Sequence, residues 1–196
     1  MKRIVFIEGV SGVGKSTTVQ ILEQQLRKHG YKVKAHFEGD ADSPLDLCWT
    51  AYLTPVEYQE LLSRHVDWRM QFIDNTVHTG DYYLVRYRVN REPLYAGEID
   101  RYLHSKEFCY NPENAMPLPV FTGVFGDLWS AYQNAGSEML DYEIFDASLV
   151  SHMTNDLIRN YHASVHELAE HLNFLLGMIR EYDPVVFYLY SDNVSG

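Results

Sequence analysis

Gly9-Val10-Ser11-Gly12-Val13-Gly14-Lys15-Ser16 is a complete G-x-x-x-x-G-K-[ST] pattern that directly follows Ile4-Val5-Phe6-Ile7-Glu8. In such a loop, the backbone N–H groups surround a di- or triphosphate, the lysine reaches the outer phosphates, and the hydroxyl binds Mg²⁺. We therefore predict that residues 9–17, which include Thr17, bind a nucleoside triphosphate, with ATP and Mg²⁺ as the cofactors.

The sequence on either side of this loop supports the prediction. A strand before the loop and a helix after it are the context that the motif requires. Four apolar residues follow Lys15 at nearly helical spacing, before Gly30: Val19, Ile21, Leu22 and Leu26. The positive end of this helix points towards the phosphates. The alternative is a glycine-rich turn without a ligand.

Composition narrows the class of protein. The chain has 196 residues, 46% of them apolar, which suffices for one α/β domain. A net charge of −11 opposes binding to nucleic acid or to anionic membranes, so we expect a small-molecule partner. The two cysteines, Cys48 and Cys109, lack metal-ligand spacing, which favours free thiols and a cytoplasmic location. The sequence predicts no membrane span or signal peptide. It does not decide between a monomer and a homodimer.

The pattern of elements predicts an α/β fold. Strands are predicted at 3–8, 32–37, 142–146 and 184–190. Helices are predicted after Lys15 as far as Gly30, and near 55–65, 126–133, 149–160 and 162–181. Alternation of strands and helices predicts three layers, with a mostly parallel central sheet flanked by helices. We expect one domain over 1–196 with a substrate-facing insertion at about 40–140, in which 82–87 is a candidate strand.

Asp146 is the candidate partner of the loop in binding metal. It ends the apolar run 142–146, and a carboxylate at the end of a neighbouring strand holds Mg²⁺ directly or through water in such folds. We therefore predict Ser16 and Asp146 as metal ligands. The alternative is that Asp146-Ala147-Ser148 turns into the next helix, with Ser148 as its cap.

Glu38 and Asp40 follow the second strand, at the edge of the sheet where α/β proteins bind ligands. A carboxylate there accepts the proton of an attacking hydroxyl or orients the acceptor. We predict Glu38 as the base, with Asp40 second. The alternative is a solvated acidic turn.

Arginines supply candidate groups for substrate recognition. Arg86, Arg88 and Arg91 lie close together in an otherwise acidic chain, and Arg159 follows Asp146 on a predicted helix. Guanidinium groups bind phosphate or carboxylate in a bidentate manner. Each arginine alone is equally typical of a surface ion pair.

Through residues 9–17, Glu38 and Asp146, the chain resembles the P-loop kinases of small molecules, a group that includes thymidylate kinase. Its overall pattern is similar to uncharacterised bacterial ATP-binding proteins of thymidylate-kinase-like type. The resemblance implies a three-layer P-loop NTPase fold, with Lys15, Glu38 and Asp146 as catalytic residues.

The chain departs from that family in two places. Nucleotide kinases usually carry an arginine just after the acidic residue that ends strand three, whereas this chain has Ala147. An Arg-rich lid usually follows the strand that corresponds to 184–190, and the chain ends at Gly196 without one. The lid is either absent, supplied by other arginines, or lost by shortening of the chain.

Two classes of function follow. The first is an ATP- and Mg²⁺-dependent kinase that transfers the γ-phosphoryl group to a hydroxyl of a nucleoside, nucleotide, metabolite or antibiotic. The second is a P-loop NTPase or nucleotide-binding regulatory protein without a small-molecule acceptor. The D-x-x-G and N-K-x-D motifs of GTPases are both absent from the sequence, which argues against a GTPase switch.

Overall fold

The structure is a computed structural model that describes residues 2–40, 42–135 and 139–191, without the side chain of Asn114. The strands are β1 (Arg3–Gly9), β2 (Val33–His36), β3 (Thr50–Leu53), β4 (Thr76–Thr79), β5 (Tyr82–Arg86), β6 (Arg88–Val89), β7 (Glu92–Pro93), β8 (Tyr142–Asp146) and β9 (Val185–Leu189). The helices are α1 (Lys15–Lys28), α2 (Pro55–Arg64), α3 (Arg69–Asp74), α4 (Gly97–Ser105), α5 (Leu118–Asn134), α6 (Val150–Met153) and α7 (Val165–Met178), with a π-helical segment at Thr154–Asn160.

The chain divides into two compact units. The phosphate-loop unit consists of Met1–Asp46 and Leu118–Gly196, and the second unit is Leu47–Pro117. The single domain with an insertion at about 40–140 stays a prediction. The chain end at Gly196, on which the expectation about the lid depends, lies outside the described residues.

The phosphate-loop unit is built on a parallel sheet of four strands in the order β2-β8-β1-β9. Helix α1 packs on one face of this sheet and α5 on the other. The predicted α/β class, with a parallel central sheet flanked by helices, is confirmed. Because all four strands run in the same direction, their carboxyl ends meet at one edge of the sheet, where ligands bind in such folds.

Alternation along β1 explains the layers, since successive side chains of a strand point to opposite faces. One core cluster lies between α1 and the sheet: Val5, Ile7, Val19, Val33 and Ile144. On the other face, the ring of Phe6 stacks on Trp129 of α5 and on Phe145 of β8. Burial on both faces explains why these strands read as almost continuous apolar runs.

The second unit has its own antiparallel sheet, in the order β3-β5-β4. Helix α2 starts as predicted, because the Thr54 hydroxyl accepts from Glu57 N while the Glu57 carboxylate accepts from Thr54 N. The candidate strand at 82–87 is confirmed as β5. Strands β3 and β4 were not predicted, because each is only four residues long and lacks a clear alternation of apolar and polar residues.

The end of the phosphate-loop unit differs in detail from expectation. The helix predicted at 149–160 is a short α-helix that continues as the π-helical segment. The final strand is β9, at the end of the described sheet, with Phe187 and Tyr188 each about half exposed. Among the described residues, no helix is long and apolar enough to cross a membrane. Cys48 and Cys109 are buried thiols that are not joined in a disulfide.

Candidate nucleotide-binding site

The phosphate loop joins β1 to α1 through three glycines with positive φ. Gly9, Gly12 and Gly14 have φ values of 142°, 80° and 97°. A Cβ at Gly9 would lie 2.5 Å from Leu189 O, so glycine is required there for contact with β9. A Cβ at Gly12 or Gly14 would meet no atom of the described chain within 4 Å. These two positions leave the backbone accessible to a ligand.

Helix α1 begins without a side-chain cap. Its N-cap is Gly14, so the first backbone N–H groups of the helix lack the oxygen that a capping side chain supplies. Uncapped N–H groups and the helix dipole together favour an anion at this end. The Lys15 ammonium lies over the same loop, 3.0 Å from Gly9 O and 3.2 Å from Val10 O.

Ser16 and Asp146, the two predicted metal ligands, are in direct contact. Ser16 Oγ donates to Asp146 Oδ2 at 2.6 Å. Asp146 is 1% exposed, and its Oδ1 has no hydrogen-bond partner among the described residues. A buried carboxylate oxygen without a partner is costly, and a bound cation would relieve that cost. The pair therefore has the chemistry of a Mg²⁺ site.

The charges around Asp146 are consistent with that chemistry. Burial raises the pKa of the Asp146 carboxyl. The hydrogen bond from Ser16 and the charge of Lys15 oppose this increase, while the negative charges of Glu38 and Glu8 reinforce it. A divalent cation among these groups would favour the ionised carboxylate, because opposite charges stabilise each other.

The alternative role for Asp146 was a helix turn capped by Ser148. Helix α6 instead has Leu149 as its N-cap and receives no hydrogen bond from that residue's side chain. Ser148 Oγ donates to Asp146 O at 3.2 Å. The alternative of a Ser148 cap is therefore wrong, and Asp146 directs its side chain to Ser16.

Glu8 is a residue of this region that sequence reasoning missed. It is 0% exposed, and its carboxylate accepts hydrogen bonds from Leu149 N and Ser151 N, just after β8. The signal was present: a carboxylate that ends an apolar strand must find partners when it is buried. Its partners were not identifiable, because they lie more than 140 positions further along the chain.

Glu38 and Asp40 lie in the loop after β2, at the same edge of the sheet as the phosphate loop. Asp40 Oδ2 accepts from Phe37 N at 2.7 Å, and Asp46 Oδ2 accepts from Gly39 N at 2.7 Å. These two aspartates hold the loop, while the Glu38 side chain is exposed and close enough to Asp146 to raise the pKa of that residue. Asp40 thus has a structural partner within its own turn.

The four predicted arginines have different surroundings. Arg88 forms a bidentate ion pair with Asp100 at 2.9 and 2.8 Å. Arg86 ends β5, and Arg91 is exposed in the turn between β6 and β7. These three belong to the second unit. In the phosphate-loop unit, Arg159 is exposed and donates to Asn155 Oδ1 at 2.9 Å. Their predicted role in binding substrate stays a prediction.

Comparison with known proteins adds little beyond the fold. No family model and no curated protein matches this chain. Among solved structures, it resembles thymidylate kinase from Candida albicans at 13% identity and a TM-score of 0.39, over 90% of this chain and 56% of the kinase. It thus spans little more than half of that protein.

A second solved structure with some likeness is assigned to plasmid partition in Borrelia burgdorferi B31 and contains AMPPNP. That match has 16% identity and a TM-score of 0.34, over 98% of this chain and 76% of the other. With identities and TM-scores this low, neither match bears on the activity or the site of this chain.

Proposed function

We propose that the protein is an ATP- and Mg²⁺-dependent phosphotransferase that moves the γ-phosphoryl group to a hydroxyl of a small molecule. The acceptor class includes nucleosides, nucleotides, metabolites and antibiotics. The observation that carries the proposal is the contact between Ser16 and Asp146 at the uncapped start of α1. A hydroxyl, a buried carboxylate and an ammonium there form the set of groups that phosphoryl transfer requires.

Binding of the triphosphate is assigned to the phosphate loop. The backbone N–H groups from Gly9 to Thr17 would hold the phosphate oxygens, and Lys15 would exchange its present contacts with Gly9 O and Val10 O for the outer phosphates. The open positions at Gly12 and Gly14 support this assignment, because a side chain at either would occupy space next to the phosphates.

Ser16 and Asp146 are assigned to Mg²⁺. When bound, the cation neutralises charge that builds up on the transferring phosphoryl group. The free Oδ1 of Asp146 and the Ser16 hydroxyl would hold it, and the remaining negative charges of the site, Glu8 and Glu38, add to its attraction.

Glu38 is assigned to the acceptor. Its side chain is exposed and forms no hydrogen bond within the described part of the chain, so it is available to a hydroxyl group. A carboxylate at this position would align the hydroxyl and accept its proton as the phosphoryl group transfers. The loop that carries Glu38 is held by Asp40 and Asp46, so the base would be positioned before the acceptor binds.

Isothermal titration calorimetry with Lys15→Ala tests the nucleotide site. Loss of a charge-assisted contact worth about 1.5–3 kcal/mol should weaken MgATP binding about 10- to 150-fold. Lys28→Ala is the matched control, since Lys28 is an exposed lysine at the other end of α1. Equal affinities of the two variants would contradict the assignment of the phosphate loop.

A turnover assay separates transfer from hydrolysis. ADP release is measured with MgATP alone and then with panels of nucleosides, nucleotides, amino sugars and polyols. Acceleration by one acceptor class, with the phosphorylated product identified by mass spectrometry, supports the phosphotransferase. A rate that no acceptor changes favours the NTPase.

A further inference from the structure

A second buried carboxylate lies beside the phosphate loop, and the proposed chemistry uses its negative charge but gives it no contact with the cation. Glu8 is the last residue of β1 before Gly9, and its side chain is completely buried. Burying an ionised carboxylate is costly unless hydrogen bonds replace its lost water. A buried carboxylate immediately before the loop therefore needs hydrogen-bond donors from a neighbouring segment.

Both oxygens of Glu8 are engaged by the segment that leaves β8. Oε1 accepts from Leu149 N at 2.8 Å, and Oε2 accepts from Ser151 N at 2.9 Å and from Ser151 Oγ at 2.7 Å. Three hydrogen bonds to one carboxylate are charge-assisted and stronger than neutral ones. We call this arrangement the Glu8 clamp.

Two further contacts join the same segments. Ala147 N donates to Ile7 O at 3.0 Å, and Ser151 Oγ lies 3.3 Å from Gly9 O. The backbone at Ile7 and at Gly9, the first glycine of the phosphate loop, is thus tied to the residues that follow Asp146. Asp146 itself belongs to β8, which pairs with β1 through Ile7.

We propose that Glu8 is a positioning residue for the Mg²⁺ site. The clamp holds the exit of β8 against the start of the phosphate loop, so that Asp146 stays in reach of Ser16 with its Oδ1 free. This inference rests on the proposed function, because it assigns the Mg²⁺ ligands to Ser16 and Asp146. Residues that orient metal ligands without touching the metal commonly change metal affinity 10- to 100-fold when they are mutated.

Glu8→Gln is the informative substitution. The amide has nearly the same size, but only its oxygen can accept a hydrogen bond, so its NH₂ group would face a backbone N–H donor in place of one carboxylate oxygen. Ser151→Ala removes the hydroxyl contact alone, and Ser151→Thr restores it. Glu170→Gln, at an exposed glutamate of α7, is the matched control for the loss of one charge.

The experiment is calorimetric binding of AMPPNP to the full chain, across a Mg²⁺ titration and separately in EDTA. For Glu8→Gln we expect the Mg²⁺ concentration at half-maximal enhancement of binding to rise about 10-fold or more, with affinity in EDTA unchanged within about 2-fold. Ser151→Ala should show a smaller rise, and Ser151→Thr should behave like the unmodified protein. The double variant Glu8→Gln/Ser151→Ala should need little more Mg²⁺ than Glu8→Gln alone, since both substitutions release the same clamp.

Other outcomes overturn the inference. An unchanged Mg²⁺ titration, or an equal loss of affinity with and without Mg²⁺, would reduce Glu8 to a general stabilising role. If Glu8→Gln does not fold, the same two measurements on Ser151→Ala and Ser151→Thr decide. If the unmodified protein fails to bind AMPPNP at all, both the proposed function and this inference are refuted. If the unmodified protein binds AMPPNP and the clamp variants keep its normal Mg²⁺ dependence, only the role of the clamp is refuted.

Discussion

Ser16 Oγ and Asp146 Oδ2 share a 2.6 Å hydrogen bond although 130 positions separate the two residues in the chain. The contact arises because β8 pairs directly with β1, so that the end of β8 lies beside the loop that leaves β1. Parallel pairing thus brings a hydroxyl from the loop and a carboxylate from a distant strand to the same edge of the sheet.

Asp146→Asn should weaken Mg²⁺-dependent nucleotide binding about 10-fold or more while leaving the fold intact. The amide oxygen can still accept from Ser16, but the negative charge that attracts the cation is lost. Because burial raises the pKa of Asp146, its ionised form is costly in the fold. The free energy of unfolding without Mg²⁺ should therefore rise.

Calorimetric Mg²⁺ titration and urea denaturation in EDTA check the two halves of this prediction. Asp127→Asn, on α5, provides a carboxylate-to-amide control. An Asp146→Asn variant with a normal Mg²⁺ titration would remove Asp146 from the metal site.

Glu38→Gln should slow phosphoryl transfer about 100-fold or more, with MgATP affinity changed much less. The amide keeps the size of the side chain but accepts no proton. Single-turnover rates and calorimetric affinities separate the two effects, with Glu170→Gln as the control. Turnover at the unmodified rate would exclude Glu38 as the base.

Gly9→Ala should lower the free energy of unfolding by about 2–4 kcal/mol, since strain at a glycine-only backbone conformation adds to crowding. The new Cβ would lie 2.5 Å from the backbone oxygen of Leu189 in β9. Gly30 also has a positive φ, of 88°, but a Cβ there would meet no described atom within 4 Å, so we expect Gly30→Ala to lower the free energy of unfolding by about 1 kcal/mol. Urea denaturation of both variants measures the difference, and equal losses would argue against the contact with β9.

Glu143→Gln should lower the free energy of unfolding by about 3–5 kcal/mol at pH 7. Glu143 is 5% exposed and accepts from Lys2 Nζ at 2.8 Å, Tyr132 OH at 2.6 Å and His36 Nε2 at 2.8 Å. Gln provides no charge for the buried ammonium of Lys2, which would lose its partner. Urea denaturation against Glu170→Gln isolates the effect of this network.

Glu143→Gln also tests how the free energy of unfolding depends on pH. Burial alone would raise the pKa of Glu143, but the hydrogen bonds from His36, Lys2 and Tyr132 outweigh it and lower the pKa from 4.5 to about 2. The carboxylate therefore contributes its full stability above about pH 4.5 and loses it as the pH falls towards 2. The difference in unfolding free energy between the unmodified protein and Glu143→Gln should narrow across that range. A constant difference would contradict the lowered pKa.

The local signals along the chain were sufficient for the phosphate loop, for the strand before it and for the class of fold. Gly9 to Ser16 form a contiguous motif whose chemistry is local, and the apolar runs of β1 and β8 are typical of strands buried on both faces. The capping box at Thr54 and Glu57 is likewise local, since both residues lie at the start of α2. The ends of α6 and α7 were not, because tertiary contacts decide where a helix ends or changes geometry, as where α6 continues into the π-helical segment.

Partners far apart in the chain became known only from the fold. The sequence marked Ser16 and Asp146 as candidates for one site, but their contact depends on β8 lying next to β1, which no local pattern encodes. The roles of Glu8 and of Arg88 depend in the same way on Leu149, Ser151 and Asp100. Periodicity and motifs reflect interactions within a few residues, whereas charge pairing in a core is set by strand order and packing.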